Sequence, residues 1–172
     1  MNASAVQGYM SKTILLIGGN TGDRLANLRQ ATDLIDMNCG PILRESAIYE
    51  TAAWGKMDQP SFLNQALEVE TLLDPLDLLE KVLRIEESMG RHREEKYGPR
   101  NIDIDIIFYA LRIVAEPGLR IPHPRLQDRR FVLTPLNELV PDLIHPIFHK
   151  TIKQLLDACP DSLPVEKFIP VK

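Results

Sequence analysis

The stretch "DPLDLLEKVLRIEESMG", residues 74–90, carries the marks of both ends of a helix. Asp74 is a side-chain cap, Pro75 sits in the first turn where its missing N–H costs nothing, and Gly90 can stop the run. The segments on either side read differently. "SFLNQALEVETLL" (61–73) and "IDIDIIFY" (102–109) alternate apolar and polar with the period of two that marks a strand. A helix fixed at both ends between two strands fixes the direction of half the chain.

Upstream the pattern repeats. "KTILLIGG" (12–19) is a short apolar run ending in glycines, as expected of a buried strand. "NTGDRLANLRQATDLIDM" then places Leu25, Leu28, Ala31 or Thr32, and Ile35 at helical spacing. After the Cys39-Gly40-Pro41 break, "ILRESAIYET" reads as one further strand, joined to the next by the loop "AAWGKMDQP". The order is strand, helix, strand, strand, helix, strand. That is the α+β order of a ferredoxin-like αβ sandwich, a mainly antiparallel sheet backed by two helices, with a proline-rich C-terminal extension holding a short helix near 150–158. At 172 residues the chain fits one domain. Its expected limits are 12–160, after a disordered leader over 1–11 and before a tail over 161–172.

Several function classes fall away. A net charge of -4 argues against a nucleic-acid binder held by a broad basic face. No apolar run reaches the roughly 18 residues of a membrane span, and the first residues lack a secretion signal, so a cytoplasmic protein is expected. Cys39 and Cys159 stand in no metal-ligand or disulfide spacing. No GxxxxGK[ST] loop is present, so ATP chemistry here is not of the P-loop kind.

The candidate chemistry gathers around "GPRNIDIDIIFY" (98–109). In a strand Asp103 and Asp105 point to one side, about 6.5 to 7 Å apart, while Ile102, Ile104 and Ile106 point to the other. Such carboxylates suit Mg²⁺, which takes one or two and fills its shell with water and phosphate oxygens. Taken alone they read as a solvated strand face. The preceding "RHREEKYGPR" holds Arg91, Arg93, Lys96 and Arg100, able to grip phosphate oxygens or merely to pair with Glu94 and Glu95. Glu86 follows Leu83, Val82 and Leu79 on the apolar stripe of its helix, where a charge needs a partner unless it snorkels into water at the helix end. Phe62 and Asn64 share a strand face, an aromatic surface beside an amide, as suits a flat heterocycle or an ordinary strand. His123, between two prolines, is better placed for a phosphate or structural hydrogen bond than for a metal. His145 and His149 take no role, because Pro146 breaks their spacing.

"EKYGPRNIDIDIIFY" closely resembles the signature of the 6-hydroxymethyl-7,8-dihydropterin pyrophosphokinase family. "IGGNTGDRLANL", "DQPSFLNQALEVET", "RIEESMGRHRE" and "IPHPRLQDRRFVLTPLNEL" resemble the same family in the same order, from about Lys12 to Leu156. The resemblance implies transfer of pyrophosphate from ATP to the pterin alcohol, releasing AMP, in folate biosynthesis. It implies that Asp103 and Asp105 hold two Mg²⁺ ions, with Arg91 and Arg93 as further catalytic residues. Glu86, Arg91, Arg93, Tyr97, Arg100, Ile106, His123 and Arg129 would meet ATP. Thr51, Ala52, Trp54, Phe62, Asn64, Asp103 and Phe131 would hold the pterin. The loops around 51–60 and 91–99 would close as a lid. Ala52-Ala53, Tyr97 and Glu50 depart from commoner family choices, which touches loop geometry rather than the reaction. The expected partners are small molecules only, the expected state a monomer. The alternative reading is a non-catalytic ferredoxin-like ligand-binding module, which explains the element order equally well but has no need of two carboxylates facing an arginine-rich loop.

Overall fold

The computed structural model describes residues 9–53, 58–91 and 98–171. Its elements in chain order are β1 (Ser11–Gly19), α1 (Arg24–Asn38), β2 (Ile42–Glu45), β3 (Tyr49–Thr51), β4 (Phe62–Thr71), α2 (Pro75–Ser88) and β5 (Asp103–Tyr109). There follow the hairpin β6 (Val114–Glu116) and β7 (Leu119–Ile121), a single 3₁₀ turn at Leu126–Asp128, α3 (Arg130–Leu139), α4 (Ile152–Asp157) and β8 (Val165–Lys167).

The start of α2 is the one the sequence marks, and α1 is capped in the same way. The Asp23 carboxylate accepts from Ala26 N–H at 3.0 Å, and the Asp74 carboxylate accepts from Leu76 and Asp77 N–H at 3.1 Å each. Leu28, Ala31 and Ile35 are the buried face of α1, whereas Thr32 returns its hydroxyl to the Leu28 carbonyl.

The main sheet runs β5-β1-β4-β3-β8, with β2 also on β4, and every pairing is antiparallel. The expected single strand over 42–51 is two. Ser46 interrupts it: its hydroxyl accepts from Ala66 N–H at 2.9 Å and donates to the Ala47 carbonyl, while Ala47 N–H turns away to the Glu138 carboxylate. A side chain that competes for ladder groups breaks the run.

One sheet face carries Leu15, Ile17, Leu67, Ile104 and Ile106 under Leu28, Ala31 and Ile35 of α1 and Leu78, Val82 and Ile85 of α2. The opposite face is covered too. Ile14, Leu16, Ala66, Ile107 and Phe108 pack under Val132, Leu133 and Leu136 of α3 and Ile152 and Leu155 of α4. The sheet, expected to be backed by α1 and α2, is covered on its second face as well by α3 and α4 of the C-terminal extension. Ile107 and Phe108 both reach the second core because the register of β5 on β1 slips between Ile14 and Leu15, one extra residue in β5. Each large apolar side chain withdrawn in this way contributes about 1.5 to 3 kcal/mol. The 161–172 segment, expected as a tail, returns to the sheet: β8 pairs with β3, Val165 opposite Thr51.

Candidate active site

The second core stops at Leu16 and Ala66, and beyond it the partly exposed Asp103 marks the open end of this face. There the register sets Asp103, Gly18, Asn64 and Tyr49 side by side on four neighbouring strands, with Asp105, Leu16 and Ala66 in the next row inward. Gly18 is needed in the first row. A Cβ there would strike the Asn64 amide oxygen, so only glycine lets Asn64 lean across β1 toward Asp103.

Charge converges on Asp103. One Arg91 amino group stands 2.6 Å from Asp103 Oδ1 and 2.6 Å from Glu86 Oε1. Glu86, 2% exposed, also accepts from Ile104 N–H at 2.8 Å. The charge on the apolar stripe of α2 is thus paired from two sides, as a buried carboxylate requires. Arg100 Nε lies 3.1 Å from Asp103 Oδ2, an ion pair by distance without hydrogen-bond alignment, and its guanidinium covers the Phe62 ring at 4.9 Å.

Asp105 has a different environment. Burial, then the neighbouring Asp103 and Glu86 charges, push its carboxyl up to about 8, while Arg100 and Arg129 pull the other way. His123 is pushed down to about 4 by burial and then by Arg129, so it is neutral at pH 7. Its Nδ1 accepts from Arg125 N–H at 3.2 Å, which leaves the ring proton on Nε2.

On the other flank, Asn64 Nδ2 reaches Thr51 Oγ1 at 3.4 Å, both residues buried. Ala52 is exposed beside them, and Phe131 lies partly buried at the head of α3 with the Arg129 guanidinium 5.9 Å from its ring centre. Arg24 donates to Glu50 Oε1 at 2.7 Å and to the carbonyl and hydroxyl of Ser61 at 2.9 Å each, and the Ser61 hydroxyl donates to Glu50 Oε1 at 2.7 Å. Those contacts join the end of β3 to the start of β4. Sequence reasoning assigns no role to Arg24, Ser61 or Asn20. The only signal for them is their position, at the first turn after the glycines of β1 and just ahead of Phe62.

Trp54, Arg93 and Tyr97 lie outside the described residues. Ile106 is in the helix-side core, leaving only its main chain to meet a nucleotide. His145 is structural: its Nδ1 accepts from Ile147 and Phe148 N–H at 3.1 and 3.2 Å. A cavity of about 390 Å³ at the far end of the same sheet face, walled by Met10, Ile14, Phe108 and Leu143, is apolar but for Ser11, Lys12 and Glu68. Glu68 is already paired with Arg44 at 2.5 Å and Lys12 at 3.9 Å.

Among the described residues no cluster of three or more His, Cys, Asp or Glu side chains could hold a metal. Two carboxylates are what Mg²⁺ takes when phosphates supply other ligands, and the repulsion that adds to burial in raising Asp105 is what a cation relieves. The donor set fits a metal that arrives with a nucleotide.

Comparison with known proteins gives the kind of enzyme. The family model described as 7,8-dihydro-6-hydroxymethylpterin-pyrophosphokinase matches residues 14–141. This chain belongs to that family. The pyrophosphokinase of Aquifex aeolicus is 39% identical over 145 residues, covering 84% of this chain and 90% of that protein. The Bacillus subtilis pyrophosphokinase is 42% identical, covering 73% and 75% respectively. The folic acid synthesis protein fol1 of Schizosaccharomyces pombe is 37% identical over 94% of this chain but only 25% of its own length. Among solved structures, the Plasmodium falciparum HPPK-DHPS triple mutant superposes with a TM-score of 0.73 at 19% identity, over 90% of this chain and 45% of that one. That similarity establishes a shared mixed α/β fold with an antiparallel sheet.

Proposed function

We infer that this pyrophosphokinase carries out its reaction at the open end of the sheet, between Asp103 and Asn64. The reaction is transfer of pyrophosphate from ATP to 6-hydroxymethyl-7,8-dihydropterin, giving the pterin diphosphate and AMP, a step of folate synthesis. The observation that carries the site reading is the row Asp103, Gly18, Asn64, with Arg91 and Arg100 both drawn to Asp103. The antiparallel order β5-β1-β4-β3, with α1 and α2 on one face, supports a ferredoxin-like core extended by α3, α4 and β8.

In this reading Asn64 hydrogen-bonds the pterin edge, Phe62 and Phe131 enclose the ring, and Thr51, Ala52 and Trp54 complete the wall. Arg91 and Arg100 leave Asp103 for the phosphates, joined by Arg93 and Arg129, and His123 gives its Nε2 proton as a neutral hydrogen-bond donor. Glu86 keeps Arg91 in reach throughout, while Tyr97 and the Ile106 main chain border the nucleotide. Two Mg²⁺ ions held by Asp103 and Asp105 would supply neutralisation of the triphosphate charge. The pterin hydroxyl oxygen bonds to the β-phosphorus as the bond from that phosphorus to the AMP oxygen breaks, the hydroxyl proton passing to solvent, and the chain contributes alignment and electrostatics rather than a covalent intermediate. The protein works as a monomer in the cytoplasm, binding neither nucleic acid nor membrane; among the described residues no helix is long and apolar enough to cross a bilayer.

The test is turnover of ATP and 6-hydroxymethyl-7,8-dihydropterin with Mg²⁺, separating AMP from ADP. AMP is expected. With Asp103→Ala the rate should drop about 10²-fold or more with the fold retained. Folded wild-type protein that forms no AMP would leave the non-catalytic ligand-binding module as the better reading.

A further inference from the structure

Asn20 is the first residue after β1 and is 2% exposed. A buried amide has two donors and an acceptor to satisfy, and here all three are used on two separate segments. Its Nδ2 donates to Gln59 Oε1 at 3.2 Å and to the Pro60 carbonyl at 3.1 Å. Its Oδ1 accepts from Arg100 N–H at 2.9 Å, and its own backbone N–H donates to the Arg100 carbonyl at 2.9 Å. Gly19 lets the chains meet so closely, since a Cβ there would strike the Asn101 carbonyl.

The two segments so joined bear the two halves of the site. Pro60 leads directly into Ser61 and Phe62, and Arg100 into Asp103. Arg100, whose backbone is fixed by Asn20 at both N–H and C=O, in turn covers Phe62 at 4.9 Å. Asn20, the 59–62 segment and Arg100 therefore close a ring of contacts that fixes the spacing between the aromatic wall and the acidic strand. No other described side chain donates to the 58–61 segment while accepting from the 98–101 segment.

We propose that Asn20 is a positioning residue for the transfer reaction, holding the pterin-side and phosphate-side segments at one separation. It touches neither substrate; it acts through the main chain of Arg100 and of Pro60. This rests on the site reading above.

The test uses Asn20→Asp, which keeps size and acceptor but sets a carboxylate oxygen against the Gln59 and Pro60 oxygens, with kcat and both KM values followed by AMP formation. A displacement on the order of 1 Å costs about 10²-fold in rate, so kcat should fall by about that factor while thermal unfolding shows a folded protein. In an Arg100→Ala background the same change should cost less than the factor seen alone, because the guanidinium that closes the ring of contacts on Phe62 is gone. Should Asn20→Asp fail to fold, Gln59→Met removes a single contact of the ring, with a several-fold rise in the pterin KM expected. Unchanged kcat and KM in folded Asn20→Asp, unchanged pterin KM in Gln59→Met, or fully multiplicative losses with Arg100→Ala would each overturn the proposal. Asp103→Ala serves as the control. If it loses turnover while Asn20→Asp does not, only the positioning role fails; if it keeps turnover, the site reading fails and takes this inference with it.

Discussion

Replacing Asp105 with asparagine should make the metal-free protein more stable, by an amount that grows with pH. The carboxyl sits among Asp103 and Glu86 and rises from 3.8 to about 8 on folding, burial being the first cause. Between those values the folded protein holds a proton that the unfolded chain has released. Stability is therefore fully present below the unfolded value and is lost as pH climbs through the folded one. Over the whole interval the loss is about 6 kcal/mol at the outside. The residue as a whole is only partly withdrawn from water, although its carboxylate is packed among protein atoms. Screening by that water brings the expected figure down to about 2 kcal/mol at pH 9. Asparagine has nearly the same shape and carries no charge. The assay is urea unfolding of both proteins at pH 5, 7 and 9 in EDTA. The variant-minus-wild-type difference cancels the titrating groups that do not interact with Asp105, and it should widen steadily with pH while turnover with Mg²⁺ collapses. Parallel curves would refute the reasoning, because they would mean that Asp105 ionises in the folded state as it does in the unfolded chain.

Three further outcomes are expected. Gly18→Ala drives a methyl into the Asn64 amide oxygen and should raise the pterin KM about 10-fold or more, read by AMP formation at saturating ATP. His123, held near 4 by burial, leaves the folded state with fewer protons than the unfolded chain below about 6.5, so stability falls on acidification through that window. His123→Asn should flatten this acid-side slope in unfolding midpoints taken between pH 4 and 7. Glu50→Gln weakens the Arg24 and Ser61 contacts and should raise the pterin KM several-fold with the ATP KM unchanged, measured in steady-state kinetics.

The elements that were legible are those whose information is local. Asp74 marks a helix start, Leu28, Ala31 and Ile35 mark a helix face, and the alternation through Asp103 and Asp105 marks a strand. α3 was not legible. Pro135 stands inside it and reads as a breaker, yet its missing donor faces the carbonyl four residues back, in the first turn, and the buried Val132, Leu133, Leu136 and Leu139 offset the loss. The break at Ser46 depends on a hydroxyl finding Ala66, a strand away, which no local window contains. In the site, the carboxylates and arginines announce themselves by type. Gly18 and Asn20 do not, because their importance lies in what crosses above them: an amide from β4 and the main chain before β5.

The strand β8 has a consequence for how this chain must be made. Its three residues cover the outer edge of β3, where Thr51 ends the wall assigned to the pterin. The covering strand is encoded long after the strand it protects, so during synthesis that edge waits with its amides and carbonyls exposed. A nascent chain stalled ahead of Val165 presents a bare strand beside an almost finished sheet, the form in which strands recruit neighbours. The shortness of Tyr49–Thr51 is then a safeguard, too brief an edge to template an aggregate and long enough for its own late partner.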